Sequence, residues 1–327
     1  MSHRGRFGEI DFGGPETGFS LLELMVAVII LLVVTGTVMT AMMQMTLTQG
    51  TIANRTEMHS SVRSATEVLQ QEIGQAGKIS LPTSGPTTML TAVALGADPN
   101  VPVTAAVVLS PNANGLFNGM LLIVGTGDNE ETVPVSNLIS ATNTFTGVFS
   151  LAHAAGVPVR VAGTFANGIV PTTTTNGSDG FHLKLFGDVN DDGNMVYVEY
   201  TCDTAGHNLY RNSMSFTAGS KPALSPSMII LPNIQPNPPD PGTTTPPAPC
   251  FKYQEKTVAG NTYDVDVSVT LTVQTQNPDP QTNQFQKETK ALLNVSPRNV
   301  FEGWQLAAGG VANRIQPMPA SVANLLQ

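Results

Sequence analysis

Positive charge is scarce in this sequence: 15 Lys and Arg stand against 24 Asp and Glu, a formal net charge of −9 over 327 residues. No cluster of Lys or Arg offsets that balance. The basic face that a nucleic-acid binder needs is missing, and no nucleic acid is expected as a partner. Histidine is sparse as well. His3, His59, His153, His182 and His207 show no metal spacing such as His-Glu-x-x-His, and His153 reads as a turn or packing residue. No Gly-x-Ser-x-Gly elbow and no phosphate-binding glycine loop occur. Catalysis is left without a candidate residue, and the chain is read as a non-enzyme. With only two cysteines the chain is no disulfide-dense scaffold; in an exported protein Cys202 and Cys250 are expected to form one bond. Charged residues make up only 12% of the chain while Thr, Asn, Gly and Pro abound, which suits β-rich extracellular domains with many turns.

What is present begins at Thr17-Gly18-Phe19-Ser20-Leu21-Leu22-Glu23-Leu24-Met25. A small residue precedes an aromatic, and an apolar run follows that holds one carboxylate, Glu23. From Leu24 to Met45 no residue is charged; about twenty residues make about 30 Å of helix, enough to cross a bilayer core. A carboxylate at the mouth of such a run is costly and usually functional. A secretory signal would be cut after its apolar run, whereas the Gly-Phe step lies before it. Cutting there keeps the helix on the mature chain and places a new amino terminus near Glu23.

This pattern resembles the N-terminal cleavage and methylation motif of type IV pilins and type II secretion pseudopilins. The resemblance implies cleavage after Gly18 by a prepilin peptidase, N-methylation of Phe19, and an assembly role for Glu23. The leader, Met1–Gly18, departs from the family's short basic form, because Arg4 and Arg6 are outweighed by Glu9, Asp11 and Glu16. Its removal takes away two basic and three acidic residues and leaves a net charge of −8.

Further along, Val62, Ala65, Leu69 and Ile73, preceded by Ile52, fall near helical spacing. Arg55, Glu57, Arg63, Glu67 and Glu72 are assigned to other faces. Gly74 and Gly77 supply a stop. One helix is expected from Phe19 to about Ala76, apolar all round at first and amphipathic later. A Pro/Gly/Thr-rich connection with a strand near Met89–Leu95 follows. Strand-like runs then stand at Val103–Leu109, Met120–Val124, Glu131–Val135, Thr144–Ser150 and Val157–Val161. Within it, the string Gly127-Asp-Asn-Glu-Glu-Thr-Val-Pro-Val135 followed by His153-Ala-Ala-Gly156 is similar to a small β-module found in phage-tail and bacterial surface proteins. After a linker at Pro171–Gly180 come three strands in sequence, Phe181–Phe186, Met195–Thr201 and Asn208–Asn212. Their Val-Glu-Tyr and Leu-Tyr-Arg strings are similar to the sheet of large minor pilins of the W type. Pro232–Pro249 is expected to lack hydrogen-bonded structure. Tyr263–Gln274 and Gln284–Val295 read as a strand and its return, ending at Val295-Ser-Pro-Arg298-Asn299. Residues beyond carry no signal except Trp304, a packing anchor.

The expected fold class is α+β, a pilin-like long N-terminal helix packed on an antiparallel sheet, with an inserted all-β module. Its divisions are a leader (residues 1–18), a transmembrane and assembly helix (19–77), the inserted module (78–170), a pilin-like sheet domain (171–300) and an extension (301–327). One loop invites a cofactor. Asp188, Asn190, Asp192, Gly193 and Asn194, followed by Glu199, have calcium-loop spacing. Strands on both sides exclude an EF-hand. Two readings stay open: a hairpin loop holding calcium through Asp188, Asn190, Asp192 and the Asn194 carbonyl, or an Asp-Gly turn with solvated carboxylates. The functional expectation is a minor pilin-like subunit of a type IV pilus. It would sit in the inner membrane with its head in the periplasm before assembly and at the cell surface afterwards, with other pilin subunits as partners. A J-type pseudopilin and a non-polymerising membrane-anchored adhesin are the alternatives.

Overall fold

The computed structural model describes residues 18–81, 87–240, 242, 248–291 and 294–327; of the leader expected at residues 1–18, all but Gly18 lies outside them. Helix α1 runs without a break over Leu21–Gln75, with Thr35-Gly36-Thr37 inside it. It ends where Gly77 takes a φ of +81°, a conformation that costs glycine little. The Gly77 N–H then donates to the Phe186 carbonyl at 2.9 Å, so the chain leaves the helix directly onto a strand.

The described chain forms two units, one of residues up to Ala53 together with Asp279–Gln284, the other of residues 54–278 and 285–327. In the first, Asp279 organises the loop: its carboxylate accepts from the backbone N–H of Gln281 at 2.7 Å and of Thr282 at 3.1 Å. In the second unit, the expected strand Gln284–Val295 shows a ladder over Lys287–Ala291 and a single bridge from Val295 to Val267.

The second unit holds three apolar cores. Met58, Val62, Ala65, Leu69 and Ile73 of α1 pack against Leu183, Leu185, Val198 and Tyr200, and against Val267, Val269 and Leu271. The first group of strand residues belongs to an antiparallel sheet in the order Ile229–Pro232, Asn208–Ser215, Val196–Asp203, His182–Gly187. The second belongs to Asn261–Gln274, which pairs with Phe251–Val258, Ile234–Gln235 and Lys287–Ala291. Alternation along a strand assigns the two faces. Val198 and Tyr200 turn toward α1, whereas Tyr197 and Phe186 turn away and join the core of the β-module.

That module has two antiparallel sheets. One runs Thr88–Met89, Val103–Ser110, Thr144–Phe149, Ser136–Ile139, the other Glu131–Pro134, Leu121–Val124, Val159–Val161. Met120, Leu122, Val124, Val107, Phe145 and Phe149 are sealed between them. His153 is a packing residue: it is buried, its Nε2 lies 2.8 Å from Glu131, and its backbone bridges to Val93.

Three further sequence expectations need correction, and the terminal stretch, unread in the sequence, is folded. Ile52 stands exposed rather than on the buried stripe. The Met89–Leu95 strand is reduced to Thr88–Met89 and one bridge at Val93. Pro232–Pro249 is structured at its start, because Asn233 adopts φ +61° and swings the chain into Ile234–Gln235, which pairs with Val273 and Thr272. The terminal stretch folds into helices α2 (Arg298–Ala308) and α3 (Ala320–Leu325). Val300 and Ala307 of α2 pack on Ala166, Tyr263 and Val265, with Trp304 against that cluster and 5.3 Å from Phe301.

Cys202 and Cys250 are joined, at a sequence separation of 48. The bond ties the end of strand Val196–Asp203 to the start of Phe251–Val258, and both sulfur-bearing residues lie in the α1-facing core. Replacing both by Ala should lower the stability of the detergent-solubilised chain by up to about 4 kcal/mol on the chain-entropy argument. Urea unfolding followed by tyrosine and tryptophan fluorescence measures it; an unchanged midpoint would contradict the staple.

Candidate processing and assembly site

Gly18, Phe19 and Ser20 precede the helix, and Phe19 is 79% exposed. The Leu24 N–H donates to the Ser20 carbonyl at 3.1 Å, closing the first helical turn. Glu23 lies in that turn, where the positive end of the helix dipole favours a carboxylate. Leu22 before it and Leu32, Met39, Met43 and Met45 beyond it are all more than 60% exposed. Three of the threonine hydroxyls in this stretch are satisfied within the helix. The hydroxyls of Thr37, Thr40 and Thr46 donate to the carbonyls of Val34, Gly36 and Met42 at 2.8–3.0 Å. Hydroxyls folded back in this way lower the cost of moving the helix from water into an apolar medium. Length and composition allow it to span a membrane.

A family model, the prokaryotic N-terminal methylation motif, matches residues 15–39. The chain carries a type IV pilin-like prepilin N-terminus. No curated protein and no solved structure matches the chain. The prepilin motif therefore describes Gly18, Phe19, Glu23 and the first part of α1, and the remainder rests on its own geometry.

Where α1 meets the sheet, a polar contact interrupts the apolar stripe. Glu72 is buried rather than on an outer face, which corrects the sequence assignment. Its carboxylate accepts from Arg211 Nε at 3.0 and 3.1 Å, from Arg211 Nη2, and from the Tyr200 hydroxyl. Burial and the adjacent Glu72 charge push the Tyr200 phenol far up, so it stays a donor. Burial works against the Arg211 cation, but the Glu72 hydrogen bonds and charge, with a smaller contribution from Tyr200, together outweigh it and its pKa rises. The signal was present in the sequence. Met58, Val62, Ala65, Leu69, Glu72 and Ala76 are spaced four, three, four, three and four apart, which is a core stripe with a carboxylate in it. Tyr200 and Arg211 belong to the two strings that carry the W-type resemblance.

The calcium-spaced loop is organised by Asp188. Its buried carboxylate accepts from the Ser80 hydroxyl at 2.6 Å and from the backbone N–H of Asp192 at 3.0 Å and of Gly193 at 3.2 Å. Lys78 Nζ lies 3.5 Å away and also pairs with Asp191. Burial pushes the Asp188 carboxyl up, yet the Ser80 and backbone hydrogen bonds and the Lys78 charge bring it below its ordinary value. Asp192 accepts from the Asn194 N–H at 2.8 Å, while Asn190 is exposed. Asp188 thus closes the turn, and an ion there would stand against an ammonium. Among the described residues no three His, Cys, Asp or Glu side chains converge on a metal-sized site.

A cleft of about 690 Å³ opens where the module meets the sheet, lined by Asn114, Ser140, Asn194, Ser215, Phe216 and neighbours. None of its lining side chains is ionisable, so it offers amides, hydroxyls and an apolar floor rather than acid–base groups.

Arg211→Ala should destabilise the head by roughly 3–5 kcal/mol, because the Glu72 carboxylate would remain buried without its cation. Replacing Glu72 and Arg211 together by Met should recover most of that loss. Chemical denaturation of the three variants checks this, and equal midpoints for Arg211→Ala and wild type would contradict it.

Proposed function

We propose that this chain is a minor pilin-like subunit of a type IV filament, processed after Gly18 by the prepilin peptidase and assembled through α1. One observation carries the reading. The prepilin motif runs directly into a helix whose uncharged part is exposed, whereas its later residues are buried on the chain's own strands. In the inner membrane, lipid satisfies the exposed part; in a filament, the helices of neighbouring subunits replace lipid. Because lipid and leucine are equally apolar, burial alone gives that exchange little direction. Glu23 supplies it by pairing with the Phe19 ammonium of a neighbouring subunit, since an unpaired charge in such surroundings costs several kcal/mol. The head, large and enlarged further by the β-module, would stand in the periplasm and later on the filament surface. The Tyr200 and Arg211 strings support the W-type assignment.

Mass spectrometry of the mature chain should find N-methylated Phe19 as its first residue, and Gly18→Arg should accumulate the uncut precursor. An intact leader on mature wild-type protein would overturn the processing step. Glu23→Val should leave membrane insertion unchanged or improved and reduce recovery of the chain in sheared filaments by more than tenfold. Full incorporation of that variant would refute the assembly role of Glu23.

A further inference from the structure

Asp264 is fully buried, and neither of its carboxylate oxygens has a hydrogen-bond partner. Its place on strand Asn261–Gln274 explains the isolation. Tyr263 and Val265 on either side point into the α2 cluster, so alternation sends Asp264 to the opposite face. Directly across the ladder stands Glu255, at the point where the register shifts by one residue. Two carboxyls thus face each other on one side of a strand pair, a destabilising arrangement when both are ionised.

They are treated differently. Glu255 is satisfied: its carboxylate accepts from the Thr172 N–H at 3.0 Å and the Thr172 hydroxyl at 2.7 Å. Two residues away on the same strand and face, the Tyr253 hydroxyl donates to the carbonyls of Asp179 at 3.1 Å and His182 at 2.9 Å. These contacts tie residues 171–182 to the strand pair on the side that buries Asp264. The ionisable groups that face Asp264 include Glu255 and Tyr253, with Asp266 two residues on and, in the covering segment beyond Tyr253, Asp179 paired with His182 at 2.9 Å; the charge that acts on Asp264 is that of Glu255. Burial holds the Tyr253 phenol neutral.

We propose that Asp264 is a proton-operated latch of the head: with its proton it lies closed under residues 171–182, and on ionisation it loosens that segment from the strand pair. A neutral carboxyl can be buried here, whereas a carboxylate beside Glu255 and without a donor must reach water. Burial first, and the Glu255 charge second, raise the Asp264 carboxyl from 3.8 to about 7. For an acid with a raised folded-state pKa the closed form binds the proton more tightly than the open form. The contact is therefore strongest below the ordinary carboxylate range. It weakens up to about tenfold per pH unit as pH rises toward neutrality, and the loss is complete once pH 7 is passed. Carboxylates held by donors, such as Asp188, run in the opposite sense.

Hydrogen exchange of the full chain in detergent, corrected for intrinsic rates and followed over residues 171–182 and 251–269 from pH 5 to 8.5, tests the latch. Wild type should lose protection in these two segments as pH rises, while Asp264→Asn should show protection independent of pH. The same pH slope in both proteins, or a flat profile in wild type, would overturn the proposal. Should Asp264→Asn not fold, Glu255→Gln provides the second reading. It keeps an acceptor for Thr172 but removes the like charge, and must move the wild-type midpoint to lower pH; an unmoved midpoint counts against the latch.

Discussion

A helix with no charged residue between Leu24 and Asn54 cannot remain bare in water, and this chain leaves those side chains exposed. The constraint is one of solvent. The early part of α1 requires an apolar surrounding that the chain does not provide, whereas residues from Met58 onward obtain theirs from the chain's own strands. The two parts place opposite demands on the sequence. Leu, Val, Ile and Met all round serve the first, with Thr hydroxyls folded back on the helix carbonyls. A four-three stripe with charged outer faces serves the second.

In the second part, packing is directed by a polar contact. An apolar stripe can slide along a sheet by a turn with little loss, but Glu72 can reach Arg211 and the Tyr200 hydroxyl in one register only. Such a buried pair adds little net stability compared with well-packed hydrophobes, while breaking half of it is costly. Its role is to select one arrangement. Asp264 shows the converse case: a buried carboxyl without a donor makes its contact depend on a proton instead of on a partner.

How much of this was legible in the sequence differs by element. The motif at Gly18 to Glu23 and the length of α1 could be read directly, because an uncharged run and a terminal glycine act locally. The strands of the module and of the first sheet were legible from alternation. Ser136–Ile139, Ile229–Pro232 and Ile234–Gln235 were not, since all three are short and the last depends on the left-handed turn at Asn233. Most of Phe251–Val258 also escaped, because its alternating Lys, Gln and Glu look like a solvated loop until the Cys250 bond and the pairing with Asn261–Gln274 are known. Glu72 reads as an outer-face residue by its charge, although its spacing is that of the core and the structure buries it. The Asp188 loop had the composition of an ion site, but Ser80 and Lys78, more than a hundred residues earlier, take up its carboxylate.

The account rests on α1 exchanging lipid for the helices of other subunits. Site-specific photocrosslinking from Val33, in cells and in sheared filaments, measures that exchange directly. The account predicts lipid-only adducts in the membrane fraction and crosslinks to the N-terminal helix of other subunits in filaments. A chain that stays in the membrane fraction, with lipid adducts alone under conditions where filaments form, would contradict it.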